Sequence, residues 1–176
     1  MMNLECYRLH EDVTLPSLAT MGSACFDIFA YIQNNIPITV YDMNNIETKR
    51  QPEWYDKEYG PRVHFRINVG DRVLIPTGII FRIPFGCSLR LHTRSSTSLK
   101  KGLIMPNGEG IIDSDYYHQT YVMLYNASAD TVYIEDNERI AQGEITQNER
   151  VEINETFQEP KQTTERAGGF GSTGVK

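Results

Sequence analysis

Long apolar runs, paired cysteines and an excess of basic residues are all missing from this 176-residue chain. No stretch is long and apolar enough to span a bilayer, and the polar N-terminus does not read as a signal peptide. The expectation is a soluble, membrane-free protein of the cytoplasm, or of the host cytoplasm if the source is viral. Cys6, Cys25 and Cys87 are odd in number, widely spaced and without a CxxC pair, which argues for reduced thiols rather than a disulfide framework. Lys and Arg total 17 against 23 Asp and Glu, giving a net charge of −6. That balance disfavours a nucleic-acid partner, because phosphate backbones are met by a basic face. A small phosphorylated ligand needs only a few local cations. The four histidines, His10, His64, His92 and His118, are scattered among strands and read as surface residues; with no HExxH and no Cys/His cluster, a zinc site is not expected. There is no GxSxG segment and no evident Cys–His pair to supply a nucleophile.

Helical periodicity is scarce too. The best helical candidate is short, around Ser96 to Lys101. Strand-like runs of four to seven residues instead alternate with Gly and Pro turns: Leu4 to Leu9, Ser23 to Ala30, HFRINV from His64, RVLIPTGIIFRIP, CSLRLHTR, Tyr121 to Tyr125, Thr131 to Ile134, Arg139 to Ile145 and Val151 to Ile153. Many short strands with turn signals every eight to twelve residues, on the order expected for such folds, predict an all-β barrel or jelly roll. One β domain over about residues 1–160 is interrupted at about 41–62 by a polar, turn-rich excursion carrying Trp54, Tyr55 and Tyr59. It reads as a surface excursion, with a partner-binding loop as the alternative. Residues 161–176 form a polar, then Gly-rich tail that cannot fold alone.

The chain is organised around Asn107 to Tyr116, NGEGIIDSDY. Asn107-Gly108 signals a hairpin, since both residues tolerate positive φ. Gly110 lets backbone approach a ligand closely. Ile111 and Ile112 read as a short buried strand that delivers Asp113 and Tyr116 at its far end. Such an arrangement can hold a flat polar ring, although an ordinary turn with a solvated acidic loop fits these residues as well. Three further segments bear on chemistry. Asp27, alone in the apolar run SACFDIFA, needs an arginine partner if buried. Arg94, Ser95 and Ser96 follow a strand at the entrance to the short helix, a setting for phosphate oxygens or simply a Ser-rich cap. ERAGGFGSTG places Arg166, Phe170, Gly171, Ser172 and Thr173 in a phosphate-cradling composition.

Taken in order, SACFDIFA, HTRSS, NGEGIIDSDY, ERIAQ and RAGGFGSTG resemble the five motifs of the trimeric deoxyuridine triphosphatase (dUTPase) family. They extend from residue 23 to residue 174, nearly the whole chain. The resemblance implies a jelly-roll subunit in a homotrimer with three sites built from several chains. It implies hydrolysis of dUTP to dUMP and pyrophosphate, which limits uracil incorporation into DNA, with Mg²⁺ held largely by the triphosphate. Residue by residue, Asp113 would be the base that orients water toward the α-phosphorus. The turn at Asn107 and Gly110, continuing into Ile112, would read uracil, and Tyr116 would pack on deoxyribose. Arg94, Ser95, Ser96, Arg139 and Gln142 would hold phosphate oxygens or water. Asp27 would act indirectly, fixing an arginine and, through water, the metal. The tail would close over the nucleotide, Phe170 stacking on uracil while Arg166, Gly171, Ser172 and Thr173 meet the γ-phosphate.

The chain departs from the family pattern at a few places. Ser96 stands where Gly is usual, Tyr117-His118 follow Tyr116, and Asn137-Glu138 replace Gly-Asp, with Asn still suited to a left-handed turn. The 41–62 excursion is longer than in compact members and is similar to inserts in some viral and phage members. A dCTP deaminase or dCTP-directed pyrophosphatase of the same fold is the nearest rival. Deamination needs a glutamate where this chain has Met123 in VMLYN, and methionine cannot shuttle protons. A regulatory module contacting a protein partner through 41–62 is the non-enzymatic alternative.

Overall fold

Period-two alternation builds this fold. In YVMLYN (Tyr121–Asn126), Val122 and Leu124 are fully buried while Tyr121 and Met123 face outward. The computed structural model describes residues 3–57 and 60–165. Its strands are β1 (Glu5–Arg8), β2 (Ser17–Leu18), β3 (Phe26–Phe29), β4 (Ile38–Tyr41), β5 (Glu47–Arg50), β6 (Glu53–Lys57), β7 (Gly60–Ile67), β8 (Arg72–Pro76), β9 (Ile79–Arg82) and β10 (Cys87–Thr93). A single short helix among the described residues, α1 (Ser95–Lys101), follows. The chain then runs through β11 (Leu103–Ile104), β12 (Gly110–Asp113), β13 (Tyr121–Asn126), β14 (Val132–Glu135) and β15 (Arg139–Gln147).

Two five-stranded sheets, β12-β10-β15-β3-β2 and β11-β13-β8-β4-β5, carry the architecture, and every strand pairing is antiparallel. Ile28, Leu89, Leu91 and Ala141 from the first sheet are buried with Ile38, Val40, Val73, Ile75, Val122 and Leu124 from the second. This is the all-β jelly-roll arrangement the turn spacing predicts. A three-stranded sheet, β14-β7-β6, and the pair β1-β9 complete it.

The 41–62 excursion is tied to both sides of the fold. β5 pairs with β4, and β6 folds back on β7. Arg50 forms an ion pair with the buried Asp71 and lies 5.8 Å from the centroid of the Phe65 ring. Tyr55 stacks on His64 at 4.5 Å, and His64 in turn meets Tyr133 at 4.7 Å. The segment lacks apolar alternation because charged and aromatic cross-strand contacts hold it.

Other expectations change. His64 is enclosed by two tyrosines and is not a surface residue. Val151 to Ile153 form no strand and are exposed. Ile111 is exposed and Ile112 half-buried, because β12 is the edge of its sheet with one face open. The 105–109 turn is not a hairpin: β11 pairs with β13 and β12 with β10, so the turn carries the chain from one sheet to the other. Of its Asn-Gly pair, only Gly108 takes a positive φ, 74°.

Candidate active site

Strand pairing gathers one set of polar residues around Asp27. In β15, Gln142 lies opposite Asp27 of β3 on one side and His92 of β10 on the other. A register shift between Arg139 and Ala141 leaves Arg139 near the same carboxylate. Asp27 is buried, and both its oxygens are engaged: Arg94 Nε donates to Oδ1 at 2.8 Å, and Arg139 Nη1 donates to Oδ2 at 3.2 Å. The arginine partner expected from burial is therefore a pair. Two guanidiniums held by one carboxylate leave net positive charge and several N–H donors free, a combination suited to phosphate oxygens. Arg94 also reaches Ser96 Oγ at 3.4 Å, and Gln142 Nε2 donates to the Thr93 carbonyl at 3.4 Å.

Asp27, Arg94, Ser95, Arg139 and Gln142 line a pocket of about 370 Å³ with Ala19, Ser23, Ala24 and Cys25. Ser96 lies next to it, exposed on the first turn of α1. The turn into β15 is braced from behind. Lys101 donates to Glu138 Oε1 at 2.5 Å and to the Tyr133 carbonyl at 2.8 Å, and Asn137 takes φ 62°, the left-handed value its residue type allows.

Cys25 was not singled out as a pocket residue, although it lies two positions before Asp27 in SACFDIFA and that closeness was the signal available. Burial pushes its thiol above the ordinary value, and the Glu144 carboxylate pushes the same way. Its thiolate fraction is therefore low near neutral pH. Iodoacetamide is expected to label Cys25 slowly at neutral pH and much faster above pH ~9, with the adduct blocking the pocket. Mass spectrometry of the alkylated peptide checks this; rapid labelling at neutral pH would contradict it.

A second set surrounds Asp113. Asp113, Ile111, Ile112 and Tyr116 line a pocket of about 280 Å³ with Leu74, Thr120 and Tyr121. Leu74 and Tyr121 come from β8 and β13 and were also missed, because only the register across sheets brings them here. Thr120 Oγ1 is buried with no hydrogen-bond partner among the described residues. Tyr116 is fixed by its hydroxyl donating to the Gln119 carbonyl at 3.1 Å and by an edge contact with His118. The Asp113 side chain is exposed at the end of β12 and also borders a cavity of about 820 Å³, with Ser114, Asp115, Arg82 and Arg150. Gly110 packs closely on β10: a Cβ there would lie 3.0 Å from Leu91 Cβ, a tight contact. Asn107 is exposed on the turn. Met123 faces outward beside Tyr41, Arg72 and Leu74, outside both sets.

The two sets do not meet within one chain. Asp113 pairs with Ser88 near the start of β10, whereas Arg94 follows the end of that strand. Six residues of extended strand separate them by about 20 Å. The pockets have no lining residue in common. Arg166, Phe170, Gly171, Ser172 and Thr173 lie outside the described residues.

The dUTPase family model matches residues 62–174. The chain belongs to the dUTPase family. A deoxyuridine 5'-triphosphate nucleotidohydrolase of Hydrogenobaculum sp. is 34% identical over 175 residues, covering 99% of this chain and 100% of that one. One from Caulobacter vibrioides is 33% identical, covering 93% and 88%. Among solved structures, a Staphylococcus bacteriophage 80alpha dUTPase mutant described with dUpNHpp has a TM-score of 0.74 at 20% identity, covering 99% of this chain and 100% of that one. The dUTPase of Streptococcus mutans has a TM-score of 0.62 at 24% identity, covering 86% and 100%. These last two likenesses concern the fold of the dUTPase subunit.

The donor set bears on the metal. Among the described residues no group of three His, Cys, Asp or Glu side chains is arranged to hold an ion, and both Asp27 oxygens are engaged by arginines. This fits an Mg²⁺ that arrives on phosphate oxygens and keeps much of its water shell, and does not fit an all-protein cage. A dUTPase of phage phi11 is described with a structural Mg(II) ion.

Proposed function

We propose that this dUTP diphosphatase, which hydrolyses dUTP to dUMP and pyrophosphate, works at a site shared between copies of the chain in a homotrimer. The arginine pocket of one copy faces the Asp113 pocket of another. The observation that carries this reading is the β10 register: Asp113 and Arg94 of one chain stand about 20 Å apart, too far to act on one phosphorus atom.

In this reading the base and sugar enter between the 105–109 turn and Tyr116, and the triphosphate lies against Arg94, Ser95, Ser96, Arg139 and Gln142. Asp113 takes a proton from water as its oxygen attacks the α-phosphorus. The bond from that phosphorus to the α,β-bridging oxygen breaks, and pyrophosphate leaves. The guanidiniums stabilise charge that grows on the departing oxygens. An Mg²⁺ carried by the triphosphate, its water shell near Asp27, would supply further charge neutralisation. Asp27 keeps both arginines aimed, and the 161–176 tail closes over the nucleotide and excludes bulk water.

Two inactive variants test the shared site. Arg94→Ala and Asp113→Asn are each expected to be inactive as pure proteins. Co-expressed in equal amounts, they assemble mixed trimers in which about a quarter of sites combine an intact arginine pocket with an intact Asp113. Recovery of about a quarter of wild-type pyrophosphate release is expected. Co-expressed variants that mix in one oligomer yet stay inactive would place both groups in the same chain's site and overturn the proposal.

A further inference from the structure

On the open face of the first sheet, beside Asp113 and Gln142, stand four charged or titratable side chains that the reaction, as described so far, does not use: Arg90, His92, Glu109 and Glu144. Ser88, Arg90 and His92 share the face of β10 opposite Leu89 and Leu91, and their partners across the strands are Asp113 and Ile111 on β12 and Thr146, Glu144 and Gln142 on β15. Contacts run diagonally between these rungs. Arg90 Nη1 donates to Glu109 Oε2 at 2.6 Å, and Arg90 Nε donates to Ser88 Oγ at 3.1 Å. Ser88, itself buried, donates on to Asn148 Oδ1 at 3.0 Å. His92 Nε2 lies 3.2 Å from Glu144 Oε1 and 3.7 Å from Glu109 Oε1.

Glu109 is part of the 105–109 turn, between Gly108 and Gly110. Ladder pairing of β12 begins only at Gly110, opposite Leu91. Within the turn, the backbone bonds are local: Gly108 N–H to the Met105 carbonyl at 3.0 Å and Glu109 N–H to the Asn107 carbonyl at 2.8 Å. They set the turn's shape without fixing its position on the sheet. Pro106, Asn107 and Gly108 are exposed, whereas Glu109 is half-buried against the ladder. The side chain that ties the turn to β10 is therefore Glu109. Arg90 receives it with an orientation set at two points, Glu109 and Ser88, which a lysine ammonium on a flexible stem would not reproduce.

We propose that Arg90, acting through Glu109, is a positioning residue for base discrimination. The ion pair holds the turn at the depth where it admits uracil and refuses the 5-methyl group of thymine. This rests on the reading that the turn meets the base, and it deepens that reading by naming what fixes the turn. Discrimination of one methyl group depends on a close wall that cannot retreat. Met105 anchors the start of the turn in the core, but the exposed 106–108 stretch could still give way by a fraction of an ångström, and Arg90 prevents that through Glu109.

The test is steady-state kinetics with dUTP and dTTP on the full-length wild type, Arg90→Leu, Glu109→Ala and the double variant. The ratio of kcat/KM for dUTP over dTTP should fall by about tenfold in each single variant, mainly through a raised kcat/KM for dTTP as the wall retreats. The double variant should be no worse than either single one, because both remove the same contact. Glu109→Ala changes a turn side chain outside the core, so it carries the test if Arg90→Leu lowers the melting temperature. A wild type that discriminates while Glu109→Ala discriminates equally well would overturn the role of the ion pair. Single effects that multiply in the double variant would also overturn it. A wild type that does not discriminate between dUTP and dTTP would overturn the base-reading role of the turn itself.

Discussion

Replacing Asp113 by Asn is expected to lower kcat for dUTP by roughly 10³-fold or more, with little change in nucleotide affinity. Asn has nearly the shape of Asp, and the backbone of residue 113 stays paired opposite Ser88 in the β10–β12 ladder. The carboxylate makes no hydrogen bond or ion pair with another side chain among the described residues, so its loss breaks no internal contact. What disappears is the group that accepts the proton of the attacking water. The phosphate pocket, about 20 Å away in the same chain, is untouched. Single-turnover pyrophosphate release and calorimetric titration with a non-hydrolysable dUTP analogue separate the two effects. Turnover within tenfold of wild type would remove Asp113 from the role of base, and a large loss of affinity would make it a binding residue.

Asp27→Asn should act differently, lowering activity and stability together. Asp27 is buried and accepts from Arg94 on one oxygen and from Arg139 on the other. An asparagine presents one acceptor and one NH₂ donor, so one guanidinium faces a donor and both lose their counter-charge. Arg94 is mostly buried, with 22% of its side chain exposed, whereas Arg139 is 51% exposed and recovers much of its loss from water. The stability cost is about 2–3 kcal/mol, carried mainly by Arg94. Misaimed guanidiniums should also lower kcat/KM by about 10²-fold. Urea unfolding and dUTP kinetics measure the two losses. A variant of full activity and unchanged stability would show that the arginines hold their positions without Asp27.

The rival reactions meet a physical obstacle in the fold. Met123 lies outside both pockets, and a thioether there can neither accept nor return a proton. The 41–62 excursion is fastened by the Arg50–Asp71 ion pair and the Tyr55–His64–Tyr133 stack, so its polar composition serves strand pairing within the chain.

The sequence alone determined the β class, the identity of the motifs and the need of Asp27 for an arginine. These follow from local rules: period-two alternation, the turn chemistry of Gly and Asn, and the cost of an unpaired buried charge. Asn137 was likewise legible, since few residue types take its left-handed conformation readily. Tertiary structure decided the rest. Asn107-Gly108 suggested a hairpin, but which strands pair is a long-range matter, and the turn joins two sheets. Leu74 and Tyr121 entered the pocket through cross-strand register, which leaves no mark in the sequence near each residue. The separation of Asp113 from Arg94 was hidden for the same reason. In the chain they are nineteen positions apart, and only the antiparallel pairing of β12 with β10 sends them to opposite ends of one strand.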